Sequence, residues 1–277
     1  MSALTFTLKQ APAQRVDLSP LVCQKLEGLS LAAIAAIELH SGKAVLRVDT
    51  LFDISGSDAQ NLVFRSHSEK LDCIGKALNG GSIRVEGNAG AYLGLQMKAG
   101  SITVSGNAGL YAACEMKNGL IQIEGNAGDF LGGALPGSKQ GMKGGTVVVK
   151  GHVGDRCGDH LRRGQILIEG NAGEYCGSRM VAGTIAVMGS VGRHAGYAMR
   201  RGTLLLWNPP HLPASFNDCG SHTLAFLPIL FASFKGLDSR FADSRVAFNR
   251  VRRFGGDMAE TGRGEVLVRL AQPESTH

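Results

Sequence analysis

One short motif recurs at a fixed interval, and this repeat constrains the fold more than any other feature of the sequence. The copies, GNAG with the variants GHVG and GSVG, begin at Gly87, Gly106, Gly125, Gly151, Gly170 and Gly189. The successive spacings are 19, 19, 26, 19 and 19 residues. The one longer interval is an ordinary repeat that carries a seven-residue insertion, ALPGSKQ. A period held this closely indicates a repeat architecture.

The residues before each motif predict a short strand. β-Branched residues stand four and two positions ahead of the first glycine, as in Ile83 and Val85 or Ile166 and Ile168. This alternation is typical of a strand with one buried face. The G-x-x-G run then turns the chain, since glycine enters positive φ at little cost. We therefore expect one strand and one glycine turn in each repeat.

The length of the repeat selects the architecture. Nineteen residues are too few for a helix pair or a propeller blade, and they suit one coil of a parallel β-solenoid. Nineteen is not a multiple of six, as a hexapeptide β-helix requires, and the L-x-x-L-x-L pattern of leucine-rich repeats is missing. We predict an all-β solenoid, a single-stranded right-handed parallel β-helix in which equivalent residues stack at about 4.8 Å.

The repeat divides the chain into three regions. We expect an N-terminal cap over residues 1–51, the glycine-rich β-helix over 52–207, and a C-terminal cap or extension over 208–277. In the cap, a helix is predicted after Ser19-Pro20, and IAAIEL and AVLRV are candidate strands. FDISG, at residues 52–56, is expected to be the first strand of the stack, and residues 62–81 a degenerate coil.

Composition excludes several classes. Glycine supplies 39 of 277 residues, but without a triplet period and with only 8 prolines the chain is not collagen-like. Its longest apolar runs, 31–37 and 224–231, are far shorter than the roughly 20 residues that a membrane span needs. No secretory signal pattern is present, and the six cysteines contain no C-x-x-C pair, so free thiols in the cytoplasm are expected.

Several columns of the repeat are predicted to be structural. Cys157 and Cys176 lie one coil apart in a column of core residues, so we expect core packing rather than a metal site or a disulfide. A methionine column is likewise predicted to pack in the core. The column one residue after the first glycine is mostly asparagine, and it predicts hydrogen-bonded turns. An aromatic column predicts stacking or a contact with another protein of a complex. Its members are Tyr92, Tyr111, Phe130, Arg156, Tyr175 and His194.

One column is basic, and we call it and its neighbours the basic edge. The basic edge consists of Lys98, Lys117, Lys143, Arg162, Arg163, Arg200 and Arg201. Most of these residues follow an inward-facing methionine or leucine, so by period two they should point outward. A solvated face is one interpretation. A row of one charge is also what an extended polyanion or an acidic partner requires, and it would span roughly 20–25 Å. No nucleic-acid-binding module accompanies it.

No catalytic motif emerges: H-E-x-x-H, a Walker loop and G-x-S-x-G are all absent from the sequence. The repeat I-x-V-x-G-N-A-G-x-x-x-G-x-x-M-x-x-G, the segment LFDISG and the C-terminal RRFGGDMAETGRGEVLV together resemble one family. This family comprises the C subunits of formylmethanofuran dehydrogenases, and especially their bacterial counterpart in the formyltransferase/hydrolase complex. The resemblance covers roughly residues 30–270.

The resemblance implies a non-catalytic subunit of an enzyme complex in one-carbon metabolism. Its implied partners are an amidohydrolase-like hydrolase subunit, a formyltransferase subunit that uses tetrahydromethanopterin, and a further subunit. The implied carrier is of the methanofuran type with a polyglutamate tail, for which the basic edge is a physically sensible contact. Archaeal relatives add molybdenum or tungsten and iron–sulfur clusters, but this chain lacks cluster-type cysteine spacing.

Two alternatives stay open on the sequence alone. The first is a β-helix module of the glutamate synthase type in an amidotransferase system, because that enzyme uses a similar glycine-rich repeat. The second is a β-helix protein that acts on polysaccharide, which would need a carboxylate cluster that the outward columns do not supply.

Overall fold

A computed structural model describes residues 2–270 of the chain. The strands are β1 Ala3–Leu8, β2 Val16–Asp17, β3 Glu38–Ser41, β4 Ala44–Arg47, β5 Phe52–Ser55, β6 Asp58–Ser66, β7 Leu71–Asp72, β8 Asn79–Gly87, β9 Ala99–Val104, β10 Leu120–Ile123, β11 Lys143–Val149, β12 Arg163–Ile168, β13 Thr184–Val187, β14 Arg201–Leu206, β15 Asn217–Thr223, β16 Arg250–Gly256 and β17 Arg263–Arg269. The α-helices are α1 Cys23–Leu26, α2 Leu31–Ala35, α3 Val48–Leu51 and α4 Phe226–Ala232, and the 3-10 helices are Arg240–Ala242 and Ser244–Val246.

A large, mostly parallel sheet organises the protein. Within residues 2–270 it contains 13 strands in the order β15-β16-β17-β14-β13-β12-β11-β10-β9-β8-β6-β1-β5. In this sheet β6 and β8 to β14 follow one another, and each pairs in parallel with its neighbour from the next repeat. β7 lies outside this sheet, in a four-stranded sheet of the order β4-β3-β2-β7. A second ladder of single parallel bridges joins the third residues of successive motifs, from Ala89 to Val191. The prediction of mostly β structure with one strand per repeat is confirmed.

The register between repeats follows the sequence period. Ile121 lies between Ile102 and Val147, and Ile123 lies between Val104 and Val149. These β-branched side chains are fully or almost fully buried, and together they form the inner face of the sheet. Because the seven-residue insertion is accommodated outside the strands, β10 and β11 keep the same pairing as the other neighbours.

The N-terminal end is built differently from our prediction. β5, which contains FDIS, is not the first parallel strand: it forms the edge of the sheet and pairs antiparallel with β1. β1 itself lies between β5 and β6, and it pairs in parallel with β6. IAAIEL was predicted as a strand, but its first two residues, Ile34 and Ala35, end helix α2, which Ser30 caps by accepting a hydrogen bond from the Ala33 amide. Its last two residues, Glu38 and Leu39, do begin a strand, β3, in which Leu39 is buried, and AVLR forms β4 as predicted.

The C-terminal region both extends the stack and covers one side of it. β17 adds to β14 in parallel, with Leu204 opposite Val266 and Leu206 opposite Val268. Helix α4 and the segment that follows it pack on the outer face of the sheet. A second core results, and it contains Val148, Leu167, Ala186, Leu205, Leu227, Phe231, Phe234, Phe241, Val251 and Leu267. Residues beyond 270 lie outside the described part of the chain.

Close backbone approach explains most of the motif glycines. We predicted that the first glycine of each motif is needed because its φ is positive. This prediction is wrong for most copies, since among these first glycines only Gly87 has a positive φ, of 130°. Positive φ falls instead on the glycines that end each repeat, such as Gly119 at 105°. A Cβ on Gly106 would lie 2.7 Å from the carbonyl oxygen of Gly87, one coil away, and would also strike Asn88 Oδ1.

We therefore expect Gly106→Ala to lower the free energy of unfolding by about 2–3 kcal/mol, because the added methyl separates two coils whose backbones touch. Gly236→Ala is the matched control, since a Cβ there would meet nothing within 4 Å. Urea unfolding of both variants checks the prediction. Equal unfolding midpoints for the two variants would show that close approach does not require the glycine.

Candidate functional site

The stacked coils convert sequence columns into rows of side chains. The first row lies at the turn after each strand, where each side chain from Asn88 to Asn171 accepts a hydrogen bond from the backbone amide one coil further on. Asn88 Oδ1 accepts from Asn107 at 2.9 Å, and Asn107 Oδ1 accepts from Asn126 at 2.8 Å. His152 takes part through Nδ1, which accepts from the Asn171 amide at 3.0 Å. This row is structural, and it fixes His152 as a turn residue.

The aromatic column forms a continuous ladder. The ring centroids of Tyr92 and Tyr111 are 5.4 Å apart, those of Tyr111 and Phe130 are 4.8 Å apart, and all three rings are nearly parallel. Arg156 continues the stack as a cation, 6.0 Å from the Phe130 centroid and 4.6 Å from that of Tyr175. All six residues of the ladder have φ between 57° and 62°, which places their side chains on the same line.

The cysteine and methionine columns, which we predicted to pack in the core, are buried. Cys157 and Cys176 have no exposed surface, and both are free thiols. A hydrogen bond with Cys176 and burial raise the pKa of the Cys157 thiol well above its usual value, which keeps it protonated. The methionines and the leucine of the neighbouring column are also fully buried: Met97, Met116, Met142, Leu161, Met180 and Met199.

The main column of the basic edge is aligned by backbone hydrogen bonds. The amide of Lys98 donates to the Leu78 carbonyl at 2.7 Å, and the amide of Lys117 donates to the Met97 carbonyl at 2.7 Å. The same bond recurs at Lys143, Arg162 and Arg200 with lengths of 2.6–2.8 Å. Lys98, Lys117, Arg162 and Arg200 are exposed, and Lys143 is half-buried. The structure therefore places these five residues in one row.

The basic edge surrounds a shallow depression. Val181 takes the place of a cation in the row, and with Ala182 it forms the floor. The rim consists of Lys143, Arg162, Arg163 and Arg201. Among residues 2–270 none of these four cations has a carboxylate oxygen within 4.0 Å. A small floor beneath unpaired cations is suited to an anionic group.

Arg200 differs from the other members of the edge. Its Nε lies 3.3 Å from Glu260 Oε2, and its carbonyl accepts a hydrogen bond from the Thr261 hydroxyl. The loop before β17 therefore already neutralises part of its charge. This loop could not be placed beside Arg200 from the sequence, because it lies outside the repeated region.

Sequence reasoning missed one member of the edge. Arg263 lies opposite Arg201 in the pairing of β14 with β17, and Gly264 lies opposite Gly202. Arg263 is exposed and extends the row of cations beyond the last regular repeat. The available signal was the Arg-Gly dipeptide, which forms the first two residues of a strand at Arg163, Arg201 and Arg263.

A buried carboxylate supports the coil next to the depression. Asp159 is 2% exposed, and it accepts hydrogen bonds from the Ser178 hydroxyl at 2.6 Å and from Arg179 Nε at 2.9 Å and Nη2 at 2.7 Å. Burial lowers the pKa of the adjacent His160; the negative charge of Asp159 opposes this shift, and the positive charges of Arg179, Arg162 and Arg200 add to it. Asp159 is thus fully engaged in structural contacts.

Two further observations concern metal sites and membrane spans among the described residues. Within residues 2–270, no three His, Cys, Asp or Glu side chains come together as a possible metal site. In the same part of the chain, no helix has both the length and the apolar character needed to cross a membrane.

The fold defines a class of protein: a repeat protein of stacked parallel strands. On its surface, side chains of the same kind from successive repeats form rows. The chain is 43% identical over 264 residues to the C subunit of the formyltransferase/hydrolase complex Fhc of Methylorubrum extorquens, covering 95% of this chain and 98% of that protein. It therefore belongs to the family of C subunits of the formyltransferase/hydrolase complex. This match supports the resemblance to the formyl-transfer complexes. It favours that family over the two alternatives, a glutamate synthase module and a β-helix protein that acts on polysaccharide.

Structural and more distant relatives agree. The crystal structure of the formyltransferase/hydrolase complex FhcABCD from Methylorubrum extorquens with methylofuran contains a chain that superposes with a TM-score of 0.90. The two chains are 42% identical, and the superposition covers 96% of this chain and 100% of that one. The C subunit of the tungsten-containing formylmethanofuran dehydrogenase 2 of Methanococcus maripaludis is 32% identical over 97 residues, 34% of this chain and 36% of that protein. No protein-family profile matches the chain.

The aromatic ladder yields a prediction about Arg156. Arg156→Ala is expected to lower the free energy of unfolding by about 1 kcal/mol, since it removes the cation between two rings. Arg156→Tyr is the matched variant and should retain most of that stability, because Tyr111 and Tyr175 hold the same conformation at φ 59° and 57°. Thermal unfolding compares the variants. If the alanine and tyrosine variants unfold together, stacking at this position contributes nothing.

Proposed function

We propose that the chain is a non-catalytic structural subunit of a formyltransferase/hydrolase complex in tetrahydromethanopterin-linked one-carbon metabolism. The observation that carries this proposal is the 43% identity to the Fhc C subunit over 95% of the chain. The proposed partners are a hydrolase subunit, a formyltransferase subunit and a further subunit. They are supported by the name of the solved formyltransferase/hydrolase complex, FhcABCD, which carries four subunit letters and in which one chain superposes on this one.

We also infer the finer architecture and the location. The one-strand-per-repeat stacking and the ladder of motif bridges support a right-handed β-helix over residues 52–207, with caps at 1–51 and 208–277. β1 joins the main sheet from the proposed N-terminal cap, and β17 joins it from the C-terminal one, so both caps are continuous with the stack. The six free cysteines support a reducing compartment, and a cytoplasmic location stays our prediction.

The basic edge is proposed to hold the acidic tail of a methanofuran-type carrier. The solved relative was crystallised with methylofuran. In this chain, Lys143, Arg162, Arg163 and Arg201 surround one depression and have no carboxylate partner among the described residues. Neighbouring coils lie about 4.8 Å apart, so the five coil intervals from Lys98 to Arg200 measure about 24 Å. An extended acidic chain of several residues fits along that length.

Each ion pair between the basic edge and the acidic tail is expected to be weak, but the pairs along the row add up to appreciable binding. Each exposed ion pair contributes about 0.2–1 kcal/mol, and salt screens it over roughly 8–10 Å. Arg200 is expected to contribute less than Arg162, because Glu260 already pairs with it. The centre of the proposed site is therefore the depression around Val181 and Ala182, rather than the end of the row.

Charge reversal at the depression tests this proposal. The variant Lys143→Glu with Arg162→Glu, in the assembled complex, should reduce the carrier that remains bound after gel filtration by about tenfold. Its residual retention should also depend less on salt. The matched control is Lys43→Glu with Arg193→Glu, which changes the net charge equally at two exposed positions away from the depression.

Mass spectrometry of the bound carrier and size-exclusion chromatography of the complex are the two measurements. Loss of assembly with the depression variant alone would mean that the edge docks a neighbouring protein and does not hold the carrier. Unchanged assembly together with unchanged carrier content would show that the edge is only a solvated surface.

A further inference from the structure

Helix α4 has an unusual composition for a surface element. Its sequence, FLPILFA, contains no polar side chain. The inner side packs on the outer face of the sheet, where Leu227 and Phe231 are buried with Phe234, which follows the helix. A helix that is apolar on all sides is normally buried on all sides.

The outer side of α4 is uncovered in the isolated chain. Ile229 is 73% exposed, more than any other large apolar side chain among residues 2–270, and Phe226, one turn earlier, is 42% exposed. We call these two residues and the adjoining Pro228 the α4 face. Contiguous exposed apolar side chains of this kind mark a surface that another molecule covers.

A groove runs beside the α4 face. It lies between α4 and the two 3-10 helices, and its apolar lining includes Pro228, Phe231, Ala232, Phe241 and Ala247. The rings of Phe231 and Phe234 meet edge to face at 5.9 Å, which gives the floor of the groove a fixed aromatic support. A concave apolar surface accepts a protruding side chain, which a protein partner can supply and a flat bilayer cannot.

The rim of the α4 face carries unpaired positive charge. Lys235, Arg240 and Arg250 are exposed, and in the described part of the chain none of their charged side-chain groups has a carboxylate oxygen within 4.0 Å. The Glu169 carboxylate accepts a hydrogen bond from Arg240 only through the backbone amide, at 2.8 Å. The nearby carboxylates are already engaged, Asp238 with Lys150 and Asp243 with Arg245. A second copy placed face to face would bring like charges together. The complementary surface is apolar at its centre and acidic at its rim.

We propose that the α4 face docks another member of the complex through an apolar, acid-rimmed surface. This inference rests on the proposed function, because it assumes that the chain assembles with other subunits. It assigns that assembly to one element, at some distance along the chain from the basic edge. Central apolar anchors of an interface contribute most of its affinity, and rim charges set its specificity and salt dependence.

The test uses the chain co-expressed with the other subunits of the complex from its own organism. Ile229→Asp should melt like the wild type, because the side chain is mostly exposed, and should weaken capture of the partner subunits at least tenfold. Phe226→Ala is a milder second variant and should weaken capture in the same direction. Val45→Asp is the matched control: Val45 is 50% exposed, on the N-terminal region, and its replacement should leave capture unchanged.

Five outcomes decide whether the α4 face docks a partner. Capture by the wild type and the control but not by Ile229→Asp supports the α4 face. Equal capture by all variants overturns the α4 face and leaves the proposed function standing, whereas no capture by the wild type overturns both. A wild-type homodimer that Ile229→Asp dissociates, or flotation of the wild type with anionic phosphatidylserine vesicles that the variant loses, would assign the face to a second copy or to a membrane and contradict the proposal.

Discussion

The register between neighbouring coils is the constraint on which the rest of the structure depends. Parallel strands in successive repeats hydrogen-bond residue to residue, and a shift of one position would turn every buried isoleucine and valine outward. Three features hold this register: the paired β-branched columns, the asparagine row that accepts amides from the next coil, and glycines that let backbones touch. Every row of side chains on the surface exists because the coils cannot slip.

The fixed register also explains why the basic side chains and the aromatic side chains each form a row. A residue type that recurs once per coil becomes a row with a spacing of about 4.8 Å, whatever its chemistry. In the aromatic ladder this spacing suits stacked rings, and Arg156 fills a ring position as a cation. In the basic edge the spacing is electrostatically unfavourable, and most of the chain's own carboxylates lie elsewhere. The repeat that stabilises the fold thus also creates a surface that an acidic molecule would neutralise.

The features that recur in every repeat could be predicted from the sequence. The contacts made by segments outside the repeat could not. The strands, the buried cysteine and methionine columns and the alignment of the basic edge all follow from the 19-residue period. The antiparallel pairing of β5 with β1, the pairing of Arg200 with Glu260 and the docking of α4 involve segments outside the repeat, joined by contacts distant in sequence. The middle column of the strands looked mixed because α4 covers Val148, Leu167, Ala186 and Leu205, whereas Arg84, Thr103 and Gln122 lie on the uncovered half.

A structure of the assembled complex that contains this chain tests most directly whether rows made by in-register coils serve the assembly. We predict density for an acidic carrier tail against Lys143, Arg162, Arg163 and Arg201, with the tail following the direction in which the coils stack. A complex in which these four residues face bulk solvent, while the carrier lies entirely on other subunits, would contradict this prediction.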